Sequence, residues 1–187
     1  MPSLPLSNGY GLSPVQPRDK DALVTHLEAP AIARNTLNIP SPYTESDAEA
    51  WIDERVSHRN QQPTETTFAF RAPDETLIGA VGAGSFDVGS SHRPNIGYWL
   101  ARPYWNRGLM TEAVGRFVEY AFATLEVMRL TVEVFARNGA SARVLQKMGF
   151  VQEGRLRSHR KKDGELLDVL YFGFRRGPRG GVRTCPK

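Results

Sequence analysis

Only one cysteine, Cys185, occurs among the 187 residues. No internal disulfide can form, and a cysteine-based metal cluster is excluded. Cys185 is third from the end, where a nucleophile would lack rigid support. Long apolar runs are missing too. None approaches the ~20 residues a membrane-spanning helix needs, and Met1-Pro2-Ser3-Leu4-Pro5 has neither the charged nor the apolar segment of a secretory signal. A cytoplasmic chain without membrane contact is expected. The four histidines, His26, His58, His92 and His159, share no ligand-like spacing, so no metal is expected. No internal repeat or second domain is visible, and aromatic residues do not alternate with basic ones as a base-stacking surface requires.

What is present suits one folded domain. Hydrophobic residues make up 40% and charged residues 24% of the chain, an ordinary globular balance. The net charge of +4 is concentrated in two runs. One holds Arg155, Arg157, His159, Arg160, Lys161 and Lys162; the other holds Arg175, Arg176, Arg179, Arg183 and Lys187. Such charge suits a polyanionic ligand or partner. Residues 1–10, rich in Pro, Ser and Gly, read as a flexible segment; 11–176 as the domain; 177–187 as a disordered tail.

The domain reads as β-α-α-β-β-β-α-β-α-β-β. Leu12 to Gln16 suits a strand, and Asp19 caps a helix reaching Glu28. Thr44 to Asp47 opens a second helix running to about His58. Strands follow at Thr66 to Arg71, Leu77 to Phe86 and Asn95 to Leu100. A helix over Thr111 to Leu125 precedes the β-branched strand Arg129 to Phe135. Asn138 or Gly139 opens a helix ending at Gly149. Strands near Glu153 to His159 and Leu166 to Phe174 form a closing hairpin across Lys162-Asp163-Gly164.

The most informative stretch is Tyr104-Trp105-Asn106-Arg107-Gly108-Leu109-Met110-Thr111-Glu112-Ala113. It ends a strand, passes a glycine and opens a helix. Such a loop leaves backbone N–H groups unpaired at the positive end of the helix dipole, ready for phosphate or pyrophosphate. Arg107 adds a charge beside them.

One helix and one strand later comes Asn138-Gly139-Ala140-Ser141-Ala142-Arg143-Val144-Leu145-Gln146-Lys147-Met148-Gly149-Phe150. The pair of motifs resembles the GNAT superfamily of acyl-CoA N-acyltransferases, in its RimJ/RimL-like branch. That branch carries I-G-Y-W-L, W-x-x-G-x-x-T-E-A and N-x-x-S-x-x-x-L-x-K-x-G-F in this order. An I-P-x-P-Y-T segment at Ile39 to Thr44 and D-G-x-x-x-D at Asp163 to Asp168 extend the likeness over Leu12 to Phe174.

The resemblance implies an α/β (α+β) fold, with a GNAT-like central mixed, largely antiparallel sheet and helices on both faces. Strands Asn95–Leu100 and Arg129–Phe135 are expected to splay around acetyl-CoA, the co-substrate. Asn106, Arg107, Gly108, Leu109, Met110 and Thr111 match the pyrophosphate loop. Leu100, Ala101 and Arg102 match the edge that pairs with the pantetheine arm. Asn138 matches a pantetheine contact, and Ser141 the position of an acid near the thiolate sulfur, with a helix-start hydrogen bond as its alternative.

Two departures stand out. Met110 is bulkier than the alanine often present there. Asn95 replaces a glutamate that many branch members carry and cannot take a proton. Glu133, an acid in an apolar strand lining the expected cleft, is the substitute general base, with Asp168 and Asp87 behind it; a partner-facing structural role is its alternative.

The expected reaction is N-acetylation of a primary amine, either a protein N-terminal α-amine of the ribosomal-protein type or a small molecule. The acceptor should enter near Tyr43, Phe86 and the loop after Val88. Nucleic acid is expected only through ribosome docking, and a homodimer is left open. The rival readings are a CoA-binding module of the same fold without catalysis, and a basic nucleic-acid-binding protein.

Overall fold

The computed structural model describes residues 3–62, 64–84 and 93–175. The element order is β1 (Leu4–Pro5), β2 (Gly11–Pro14), α1 (Lys20–Leu27), α2 (Pro30–Ala33), α3 (Glu45–Gln61), β3 (Thr67–Arg71), β4 (Leu77–Ala83) and β5 (Ile96–Leu100). Then come α4 (Leu109–Thr124), β6 (Arg129–Phe135), α5 (Gly139–Lys147), β7 (Val151–Lys162) and β8 (Glu165–Arg175). No helix among the described residues is long and apolar enough to cross a membrane.

Two antiparallel sheets form, in the orders β1-β2-β3-β4-β5 and β6-β8-β7. They meet at a single parallel bridge, Asn95 to Thr131, where Thr131 N–H donates to Pro94 O at 3.1 Å. Beyond it β5 and β6 diverge, so the expected splay is present. Hydrogen bonding of β5 to β4 decides which backbone groups face the gap. Gly84 N–H donates to Asn95 O and Ala101 N–H to Ile78 O. Odd-numbered residues therefore turn their backbone toward β4, and Ile96, Tyr98 and Leu100 turn theirs toward the gap.

Alternation along the strands builds a core on each face. Phe68 and Phe70 of β3 pack with Phe117 and Val114 of α4, with Leu130, Val132 and Val134 of β6, and with Phe172. Ala69, between them, joins Leu23, Leu27, Ile52 and Trp99 under α1 and α3. At Gly82 a Cβ would lie 2.7 Å from Thr67 Cα, so the close approach of β4 to β3 there requires glycine. The N-terminus of α3, at the expected place, is capped: Thr44 Oγ1 accepts from Asp47 N–H at 3.2 Å, and the Asp47 carboxylate accepts from Thr44 N–H at 2.8 Å.

Three local expectations change. Asp19 does not cap α1: its carboxylate accepts from Gln16 N–H at 2.8 Å and forms a buried ion pair with Arg71. The buried guanidinium of Arg71 needs a counter-charge, which outweighs a surface cap. Within the segment 1–10, read as flexible from its composition, Leu4 pairs with Leu12 and Pro5 with Gly11, across a 3-10 turn at Ser7–Gly9. The helix α2, started by Pro30, is an element that periodicity alone did not reveal. The tail at 177–187 lies outside the described residues.

Candidate active site

The loop before α4 has the geometry of an anion site. Among the described residues, no backbone N–H from 106 to 111 finds an acceptor; the first amide to do so is that of Glu112, to Gly108 O at 3.2 Å. Gly108 caps α4 with φ 78°, a left-handed conformation that glycine adopts without strain. No atom lies within 4 Å of where its Cβ would be, so open space fronts the amides. The Trp105 indole N–H donates to Leu100 O at 2.7 Å, fastening the loop to the end of β5. The exposed Arg107 guanidinium stands 5.7 Å from the centre of the Tyr104 ring. Leu109 and Met110 are buried in the core. Their backbone amides open outward while their side chains point inward, so the bulk of Met110 does not obstruct the site.

Of the three edge residues, Ala101 is excluded as a ladder partner for a ligand, because its N–H is already bonded to Ile78 at 2.7 Å. Arg102 begins a 3-10 turn. Leu100 does face the gap, although its carbonyl already accepts from Trp105. Tyr98, which sequence reasoning had left as part of a strand, presents the other gap-facing backbone groups.

Tyr98 also reaches across to α5. Its hydroxyl lies 2.7 Å from Ser141 Oγ and donates to Ser141 O at 3.2 Å. Burial pushes the Tyr98 phenol up to about 12, opposed by the Ser141 bond. It therefore holds its proton at neutral pH. Asn138, not Ser141, caps α5: its Oδ1 accepts from Ser141 N–H at 3.1 Å. The Ser141 hydroxyl is thus turned toward β5 rather than spent on the helix start.

The opposite face of β6 carries an ion pair beside a small apolar cluster of Phe135, Leu167 and Val169. Register pairs Glu133 with Tyr171 and Phe135 with Val169, on the side away from α4 and α5. Glu133 accepts from Arg160 through both oxygens, at 2.8 and 3.0 Å. The expectation of Glu133 as general base rested on an acid inside an apolar strand lining the cleft. Arg160 supplies that charge from β7 and engages the lone pairs a base would use. By alternation Asp168 lies on the other face of β8, where it accepts from Ser158 N–H and Arg155 Nε, each at 2.9 Å, and both hold it below the usual carboxylate range. Nearby, Lys162 Nζ donates to Ile39 O at 2.8 Å and Arg137 to Arg34 O at 2.7 Å, tying the α2–α3 linker to the β7–β8 hairpin and to the β6–α5 loop. Tyr43 is buried under α1 and α3. Phe86, Asp87, Val88 and His92 lie outside the described residues.

A family model for the acetyltransferase (GNAT) domain matches residues 11–151. The chain belongs to the GNAT acetyltransferase family. It is 27% identical over 157 residues to the uncharacterized N-acetyltransferase p20 of Bacillus licheniformis, covering 83% of this chain and 86% of p20. It is 26% identical over 114 residues to the ribosomal protein uS5 alanine N-acetyltransferase of Escherichia coli, covering 60% and 59% of the two chains. Among solved structures, RimL, a ribosomal L7/L12 α-N-protein acetyltransferase in complex with coenzyme A, superimposes with a TM-score of 0.81 at 16% identity. That superposition covers 93% of this chain and 98% of RimL.

The GNAT chain is accordingly an acyl-CoA N-acyltransferase of the RimJ/RimL-like kind, moving an acetyl group to an amine. Of the residues singled out from sequence, the structure joins the loop amides, Leu100, Asn138 and Ser141 around one gap. It sets Glu133 on the opposite sheet face. Tyr98 and Arg160 were missed. The signal for Tyr98 was available, since alternation in Ile96 to Leu100 puts it on the same side as Ile96 and Leu100, toward α4. No local signal marked Arg160 as the partner of Glu133.

Proposed function

We propose that this enzyme transfers the acetyl group of acetyl-CoA to the N-terminal α-amine of a protein. The observation that carries the reading is the run of unpaired N–H groups at 106–111, opening beside the strand gap into which Tyr98 and Ser141 turn their hydroxyls. In this reading the amides take the pyrophosphate, and the gap-facing backbone of Tyr98 and Leu100 aligns the pantetheine arm.

The amine nitrogen attacks the thioester carbonyl, a C–N bond forms and the C–S bond breaks. Ser141 Oγ protonates the departing thiolate, with Tyr98 holding that hydroxyl in place. The proton lost by the amine leaves to water, and water restores the Ser141 hydroxyl. Glu133, fixed by Arg160, orients the approaching amine from the other face rather than taking its proton directly. The likeness to two ribosomal-protein acetyltransferases favours a protein acceptor, and the exposed cations of the β7–β8 hairpin suit an acidic one.

The test is label transfer from acetyl-CoA to peptides with free α-amines, the same peptides with blocked N-termini, and a panel of small amines. Label on the free peptides alone is expected. Transfer only to small amines would overturn the assignment of the acceptor.

A further inference from the structure

Glu112 puts a negative charge where an anion site tolerates it least. It lies in the first turn of α4, directly after the amides proposed to hold the pyrophosphate. A bare carboxylate there would repel phosphate and compete for the helix dipole. Its oxygens are instead occupied from 105 residues away: Oε1 accepts from Ser7 N–H at 2.6 Å and Oε2 from the Ser7 hydroxyl at 2.8 Å.

Ser7 sits at the tip of the N-terminal hairpin, which has its own internal bonds. Leu6 N–H donates to Tyr10 O at 2.9 Å, Tyr10 N–H to Ser7 O at 3.1 Å, and the Tyr10 ring packs edge-on against Phe70. Clamped in this way, Pro5 and Leu6 form one wall of a groove whose other lining includes Gly108, Thr111, Arg116 and Lys147. The groove thus runs from the unpaired amides to two cations. Lys147 has no ion-pair partner among the described residues, and Arg116 pairs only with exposed Glu119 at 2.8 Å.

We propose that the N-terminal hairpin, clamped by Glu112, is a wall of the binding site for the nucleotide half of acyl-CoA, with Arg116 and Lys147 facing its phosphates. The inference rests on the loop being the pyrophosphate site. Glu112 then has two effects: it holds the wall, and the two Ser7 donors offset its charge.

This makes a prediction of opposite sign to simple electrostatics. If only charge mattered, Glu112→Ala and Glu112→Gln would both bind CoA more tightly. With a clamp, Glu112→Ala weakens CoA binding about threefold. Glu112→Gln binds at least as tightly as the parent, since its amide still accepts from Ser7 N–H and donates to Ser7 Oγ. Ser7→Pro removes both donors and leaves the carboxylate bare, so it should weaken binding most, by about tenfold or more. Leu6, at φ −121° and ψ 175°, is already in a conformation that precedes proline without strain.

Titration calorimetry with CoA measures the series, and thermal melting checks that each variant is folded. Ser7→Ala, which loses only the hydroxyl bond, gives an intermediate loss and keeps the test available should Ser7→Pro not fold. Turnover of acetylpantetheine, which lacks the nucleotide, should fall less than CoA binding in Glu112→Ala, Ser7→Ala and Ser7→Pro. Wild-type or tighter CoA binding by Glu112→Ala, or equal losses with acetylpantetheine, overturns the inference. Gly108→Glu separates the two layers. If it binds CoA normally, the loop assignment fails. If it loses CoA while the Ser7 and Glu112 variants keep full affinity, only the hairpin inference fails.

Discussion

The loop before α4 offers a ligand its backbone, whereas the sheet of β6, β8 and β7 beside the gap offers side chains already bonded to one another. At 106–111 the donors are amides that any sequence possesses, exposed by a glycine at φ 78° and the start of a helix. At Glu133, Arg155, Arg160 and Asp168 every charge has a protein partner drawn from another strand. A site made of backbone tolerates substitution of side chains, as buried Met110 shows, but not the loss of its glycine. A site made of ion pairs depends on which residues meet, and its charges are least available where they are best paired.

The largest effect should come from the backbone half. Gly108→Glu sets a side chain and a charge in the open space before the amides and forces a left-handed conformation on a non-glycine residue. CoA affinity in calorimetry should fall by about a hundredfold or more. Retained affinity in a folded variant would remove the contrast altogether.

Between the halves, Ser141→Ala should lower kcat by about a hundredfold with little change in KM for acetyl-CoA, followed by release of free thiol. Tyr98→Phe should cost about tenfold, and the double variant no more than Ser141→Ala alone, because the tyrosine acts through the serine. Additive losses would give Tyr98 an independent role.

On the ion-paired half, Glu133→Gln should cost less than about tenfold and leave the acidic limb of the pH–rate profile in place. A greater loss with that limb flattened would make Glu133 the base and show that Arg160 releases it during turnover.

The smallest effect is on stability at high pH. Burial raises the phenols of Tyr98 and Tyr43 to about 12. The folded state therefore favours their neutral forms. That contribution is complete below the ordinary tyrosine value near 10 and is lost as pH rises from there toward 12. Denaturant midpoints measured across this window should fall, and less steeply for Tyr98→Phe.

The sequence was most legible where the physics is local. Apolar spacing located α4 and β6. Thr44 with Asp47 marked the start of α3, and Gly108 before a helical run marked the loop of open amides. It was least legible where meaning depends on a distant partner. Asp19 looks like a helix cap until buried Arg71 claims it. Ser3 to Tyr10 looks loose in composition, yet Glu112 and β2 fix it in place. Glu133 looks like a lone acid in an apolar strand until β7 brings Arg160 against it.

By itself, then, the sequence determined one side of this enzyme: a loop of unpaired amides before α4, a following Asn138–Ser141 helix start and the order of strands around them. Glycine conformation, helix dipoles and strand periodicity act over a few residues and leave their mark in a short window. The tertiary structure alone decided which charges are neutralised, which hydroxyl meets Ser141 and that the N-terminus closes on α4. Those depend on strand register and on contacts up to 125 residues apart, which no local pattern encodes.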